Sequence, residues 1–143
     1  MYISQRAGQD EKRNVSRTFV YTDGEVLRGY YTLANASVSL DELSDGQKRR
    51  MPRYPMPAVL LSRLAVDKCM QGKGLGQRLM SDFFRRVYAV SRQSGVAFIV
   101  VDAKDLTAVD YYRHKLGFVP SLNNPLRLVL STATLIRAFQ ARE

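Results

Sequence analysis

The stretch from 58 to 91 constrains this chain most. AVLLSRLAV (58–66) is apolar at nearly every position, a pattern suited to a strand covered on both faces. Three glycines follow, at 72, 74 and 76. Beyond them Leu75, Leu79, Phe83, Val87 and Val90 recur at spacings of four, four, four and three. That stripe predicts an amphipathic helix over 74–91, with Arg78, Asp82, Arg85 and Arg86 on its other faces. A second apolar run, VAFIVV (96–101), completes a strand–helix–strand unit, which closes as a right-handed parallel crossover.

The flanking segments are simpler. RTFVYT (17–22), the turn signal Asp23-Gly24 and VLRGYYTLANASVSL (26–40) predict a β-hairpin with a long second strand. Glycine, three prolines and a basic run break up 41–57 into a short helix and a loop. A short helix is expected over 106–115, a strand near 126–131 and a last helix in TATLIRAFQARE. Residues 3–13 read as the polar tail of a helix. The sum is an α+β fold: a mixed, mostly antiparallel sheet flanked by helices in three layers. With no repeat or linker, 1–143 is expected to be a single domain.

Charge narrows the partners. Lys and Arg number 22 against 13 Asp and Glu, a net +9, and sixteen of the 22 are Arg. Such a field attracts polyanions, and the guanidinium fork suits phosphate oxygens better than a lysine point charge. A single cysteine, Cys69, excludes an internal disulfide and a cysteine-rich metal site, so no metal is expected. No apolar run reaches the ~18 residues of a membrane span, and the first twelve residues lack the apolar core of a signal peptide. A cytoplasmic protein without membrane contact is the expectation.

The chemistry sits where strand 58–66 meets the long helix. A helix start leaves amides unpaired and carries the positive end of the dipole. Here no Ser, Thr, Asp or Asn between 70 and 76 offers a side-chain cap. Glycines 72, 74 and 76, with Lys73, therefore read either as an anion site that a pyrophosphate would satisfy or as a tight turn with no ligand. The G-x-G-x-G spacing fits neither the dinucleotide fingerprint nor the nucleoside-triphosphatase loop.

Gln71-Gly72-Lys73-Gly74-Leu75-Gly76 resembles the Q/R-x-x-G-x-G/A signature of the GNAT N-acetyltransferases. Leu64-Ala65-Val66-Asp67 is similar to that family's splayed strand, and Tyr111-Tyr112…Gly117-Phe118 to its aromatic–Gly-Phe segment. Ser16-Arg17-Thr18-Phe19-Val20, Gly29-Tyr30-Tyr31-Thr32-Leu33 and Asn124-Pro125-Leu126 resemble the GNAT toxins of bacterial type II toxin–antitoxin pairs. The resemblance runs from about residue 3 to 136. Two departures stand out. The family's first strand and much of its first helix are expected to be missing. Four residues, Arg113 to Leu116, separate Tyr112 from Gly117 where relatives have three.

The resemblance implies acetyl-CoA as co-substrate, held by the amides of 71–76 and by backbone groups of Leu64, Ala65 and Val66. It implies a tyrosine as general acid; the spacing leaves Tyr111 and Tyr112 open, and counting from Asp102-Ala103 favours Tyr112. It also implies aminoacyl-tRNA as acceptor, translation as the process blocked, a cognate DNA-binding antitoxin of ribbon-helix-helix type and room for a homodimer. Strand 58–66 carries no carboxylate to act as base. A lysine amine, near 10.4, needs one, whereas an α-amino group, near 7.7–8.0 and lower still once its carboxyl is esterified, is substantially deprotonated already. Lys48, Arg49, Arg50 and Arg53, and a second stripe of Arg78, Arg85 and Arg86 joined by Arg92, are candidates for RNA phosphate contacts. Competing readings are a GNAT enzyme acting on protein or small-molecule amines, and a degenerate module that only binds. His114 and Cys69 receive no role.

Overall fold

The computed structural model describes residues 3–6, 15–49 and 51–141. Its strands form one sheet of seven, in the order β1-β2-β3-β4-β5-β7-β6. These are β1 (Ile3–Arg6), β2 (Ser16–Asp23), β3 (Val26–Val38), β4 (Met56–Val66), β5 (Phe98–Asp102), β6 (Val119–Pro120) and β7 (Arg127–Ser131). The helices are a single turn α1 (Asp45–Lys48), then α2 (Leu75–Ser91), α3 (Leu106–Leu116) and α4 (Thr132–Gln140).

The β2–β3 hairpin turns at Gly24, whose φ of +64° few other residues adopt without strain. Its alternation then sorts the sheet faces. Phe19, Tyr31, Val59, Leu61, Ile99, Val101, Leu128 and Leu130 lie on one face with Leu79, Phe83 and Val87 of α2, Val109 of α3 and Leu135 of α4. Val38, Met56, Ala58, Phe98, Val100 and Val129 lie on the other, packed with Leu43 and Met51 from the segment between β3 and β4. Strand β5 is covered on both faces, the reason for its unbroken apolar run. Only β4 and β5 pair in parallel, joined through α2; the other neighbours are antiparallel.

Three sequence expectations need correction. Residues 3–6 are not the tail of a helix, and a strand does precede β2. β1 pairs with it from Ile3↔Tyr21 to Arg6↔Thr18, because Ile3 has the helix-side core to pack on and the β2 edge has backbone groups to pair. The remainder of 3–13 lies outside the described residues. Asp82, placed by periodicity on a polar face of the helix, is buried at 4% exposure, since the sheet offers it a hydroxyl partner. The two-residue β6 was too short to carry a pattern.

Candidate active site

The sheet opens where β4 and β5 part. Their pairing runs from Ala58↔Phe98 to Leu61↔Val101 and stops. β4 continues to Val66 with β3 alone beside it, from Thr32↔Arg63 to Gly29↔Val66. The register slips between Thr32↔Arg63 and Leu33↔Leu61, so Ser62 is an extra residue in β4. Such a bulge bends and twists its strand. β5 is drawn the other way: Asp102 pairs with Arg127 of β7, and the Ala103 amide donates to the Leu126 carbonyl at 2.8 Å. Leu64, Ala65 and Val66 thus border a gap with a strand edge that β5 does not cover.

The glycine loop stands at the far end of that edge. Asp67 closes β4 by accepting from the Cys69 amide at 3.3 Å and pairing with Arg28 at 2.9 Å. The amide first, and the guanidinium second, hold its carboxyl below the usual range. Gly72 (φ +79°) and Gly74 (φ +83°) then carry the chain into α2 through left-handed conformations. Nothing lies within 4 Å of where a Cβ would sit on either, so the loop opens outward. Gly74 is the helix cap and supplies no side-chain bond. Among the described residues the amides of Leu75, Gly76 and Gln77 meet no acceptor. Lys73 is exposed beside them. Unpaired amides, dipole and cation converge on open space, which fits a pyrophosphate.

One residue that sequence reasoning passed over makes this possible. A Cβ on Gly29 would come within 3.1 Å of Leu75 and Leu79 side-chain carbons and 3.2 Å of the Ala65 carbonyl. Only glycine lets the start of α2 settle so close to β3 and β4. A glycine in a strand interior was the available signal.

Tyr112 comes from α3, which Asp105 caps by accepting from the Ala108 amide at 2.8 Å. The ring is 8% exposed and shares the helix-side core with Val59, Leu61, Val101 and Ala103, that is, with the strands that diverge. It meets Phe118 edge-on at 5.8 Å and Tyr111 at 5.4 Å. Its hydroxyl makes no hydrogen bond among the described residues. Burial, with a smaller effect from Tyr111, pushes the phenol up to about 12, which leaves it a neutral proton donor. Tyr111 is less buried and turns outward, onto a groove of about 1160 Å³ also lined by Gln77, Arg78, Ser81, Phe84 and Lys115. The four-residue spacer is absorbed in a widened last turn. The Gly117 amide donates to Arg113 at 3.2 Å and the Phe118 amide reaches the Tyr112 carbonyl at 3.1 Å.

The basic residues divide. Lys48 ends α1, while Arg49 and Arg53 are exposed just before β4; Arg50 lies outside the described residues. Ten strand steps, about 33 Å, put this run at the opposite end of β4 from the glycine loop, with the gap between. Arg78 is exposed on α2. Arg85 is exposed but paired with Asp82. Arg86 is committed inward: its Nε donates to Asp82 at 2.9 Å and to the Tyr31 hydroxyl at 3.0 Å, and its guanidinium lies 3.9 Å from the Phe19 ring centre. Arg92 rests on Tyr88. The carboxylate at the end of β5, Asp102, accepts from Arg127 through both oxygens, at 3.0 and 3.3 Å. His114 and Cys69 are exposed, and the described residues hold no cluster of three or more metal-ligating side chains.

Residues 5–127 match the family model described as an acetyltransferase (GNAT) domain. A tRNA-acetylating toxin from Mycobacterium tuberculosis is 38% identical over 130 residues, covering 90% of this chain and 76% of that protein. The solved structure of AtaT complexed with acetyl-methionyl-tRNAfMet has a TM-score of 0.82 at 26% identity, over 92% of this chain and 79% of that one. AtaTR bound with AcCoA gives 0.76 at 27% identity, over 92% and 78%. Sequence match and shared fold converge on one assignment: this chain belongs to the GNAT acetyltransferase family.

Proposed function

We propose that the chain transfers an acetyl group from acetyl-CoA to the α-amino group of an aminoacyl-tRNA, acting as a toxin that blocks translation and is restrained by a cognate antitoxin. The observation that carries this reading is the state of the carboxylates around the gap. Asp67 is bound by Arg28 and the Cys69 amide, and Asp102 is gripped by Arg127. β4 itself carries none. An amine entering here must lose its proton without help from the protein, which an α-amino group near 7.7–8.0, and lower still once its carboxyl is esterified, does to a substantial fraction near neutral pH and a lysine near 10.4 does not. The net charge of +9 suits a polyanionic acceptor. A tRNA-acetylating relative and a tRNA-bound neighbour with the same fold support the same substrate.

Each part then has a task. Acetyl-CoA supplies a thioester carbonyl as the acyl donor. The amides at the start of α2 and Lys73 hold its pyrophosphate, and the open edge at Leu64, Ala65 and Val66 pairs with its pantetheine arm. The outer groove past Gln77 and Arg78 has room for the nucleotide end. Tyr112 gives its phenolic proton to the departing sulfur as the carbon–sulfur bond breaks and the carbon–nitrogen bond forms. The surplus amine proton leaves to water, and Tyr112 takes one back from water, so the phenol is restored and no net proton is released. Lys48, Arg49, Arg50 and Arg53 contact the RNA backbone.

Incubation with acetyl-CoA and total charged tRNA, followed by mass analysis of the aminoacyl adenosine, tests the proposal. The mass gain of one acetyl group on the α-amino nitrogen is the result expected here. Efficient lysine acetylation at pH 7, with charged tRNA untouched, would favour a protein acetyltransferase instead.

A further inference from the structure

The sheet face opposite the three long helices carries a row that the acetyl-transfer machinery does not use. Thr18 pairs with Thr32 across β2 and β3, and Thr32 pairs with Arg63 across β3 and β4. Their neighbours Phe19, Tyr31 and Leu64 pack on the helix side, so by strand alternation these three project to the other face. The two threonine hydroxyls confirm it by lying 3.3 Å apart.

Arg63 differs from Arg28, Arg86 and Arg127, which are each tied to a carboxylate. Arg63 is exposed and makes no hydrogen bond or ion pair among the described residues. It stands in the bulge, two residues or about 7 Å beyond the last β4–β5 pair, on one lip of the gap. The other lip ends in Asp102, already neutralised by Arg127. The core residues Val59, Leu61, Val101, Ala103 and Tyr112 lie on the helix side of the gap, which leaves the face that Arg63 occupies for an acceptor.

We propose that Arg63, with the hydroxyls of Thr32 and Thr18, binds the last phosphodiester before the aminoacylated ribose, and so seats the amine in the gap. This rests on the aminoacyl-tRNA reading above. A guanidinium grips phosphate oxygens bidentately, and hydroxyls add neutral donors. A strand-borne arginine fixes where that phosphate sits, which loop cations such as Arg49 and Arg53 do not.

Three acceptors separate the possibilities: charged tRNA, an aminoacylated CCA trinucleotide and the aminoacyl ester of unphosphorylated adenosine. R63A should lower kcat/KM on the first two on the order of 10- to 100-fold, mostly through KM, and leave the third unchanged. R63K should recover part of the loss, because the charge returns without the fork. The slope of log kcat/KM against log salt on the trinucleotide should fall by roughly 0.7, the value for one neutralised phosphate on a single strand. Thr32→Val should act in the same direction more weakly. Equal losses on all three acceptors, or no loss on any, would overturn the proposal while the function stands. Wild-type protein that acetylates none of the three overturns the function proposed above, and this seat with it.

Discussion

Helix α2 treats polar groups in opposite ways along its length. At its start, Leu75, Gly76 and Gln77 present amides with no partner among the described residues. Seven residues on, about 10 Å along the axis, every partner is present. Asp82 accepts from the Tyr31 hydroxyl at 2.5 Å and from Arg86 at 2.9 Å, and it pairs with Arg85. Burial by itself would raise the Asp82 carboxyl, but the Tyr31 hydroxyl and Arg86 outweigh it and hold it below its usual range. The same surroundings, burial first and then Asp82, drive the Tyr31 phenol upward. Unsatisfied groups at the helix start are open to a ligand; satisfied groups in its middle lock the helix to β3. A site that must bind and release needs the first arrangement, and the second keeps it in place.

The largest effect should come from filling the open end. Gly74→Asp puts a carboxylate where the proposed pyrophosphate would sit and a side chain at φ +83°. Acetyl-CoA binding should be lost by calorimetry, while the circular dichroism spectrum stays native. Breaking the closed end should do the reverse. Asp82→Ala leaves Arg86 half-buried without its carboxylate and should cost roughly 3–5 kcal/mol of stability, read by urea denaturation. Acetyl-CoA affinity should change little at temperatures where the variant is folded. Because the folded Asp82 carboxyl titrates below its unfolded value near 3.9, its contribution is present above that pH and fades as pH falls through the folded value. The variant should therefore show a shallower loss of stability in acid.

Chemistry and binding separate next. Tyr112→Phe should keep the fold and acetyl-CoA affinity while turnover drops on the order of 10²-fold. Tyr111→Phe, on the outer groove, should do much less. Reversed effects would move the proton donor to Tyr111. In the wild type, activity on an aminoacyl ester should rise through the amine pKa, which esterification sets below the 7.7–8.0 of a free α-amino group. It should then stay level to pH 10, because the Tyr112 phenol stays protonated until about 12. A falling limb between pH 8 and 10 would mean another proton donor. Smallest is the effect of neutralising Lys48, Arg49, Arg50 and Arg53. Each RNA phosphate that thereby goes without its cation should lower the salt slope on charged tRNA by roughly 0.7 to 0.9. A phosphate-free ester should react as before.

Much of the molecule was legible in the chain alone. The continuous apolar runs at 58–66 and 96–101 read as strands covered on both faces, and the spacing of Leu75, Leu79, Phe83 and Val87 read as a helix stripe. The missing cap between 70 and 76 read as a helix start without a side-chain partner, and Gly74 is that cap. Those inferences rest on local rules, since period, capping and turn chemistry are set within a few residues. Asp82 was misplaced because periodicity assigns a carboxylate to solvent and cannot see a tyrosine 51 positions away. Ile3–Arg6 was misread because four residues carry too little pattern to outweigh polar neighbours, and only the free edge of β2 makes them a strand.

What the sequence determined by itself is therefore the inventory: which segments are strands and helices, which helix start lacks a cap and which charge the chain carries. Tertiary structure decided which groups are free. Arg28, Arg86, Arg127 and Arg63 are alike in the sequence, yet three are tied to carboxylates and one stands exposed at the gap. The parting of β4 from β5, the turn of Tyr112 inward and Tyr111 outward, and the approach allowed by Gly29 belong to the same class. Each depends on distances between residues far apart in the chain, and the energy of a polar group depends on what has been brought within hydrogen-bonding reach of it.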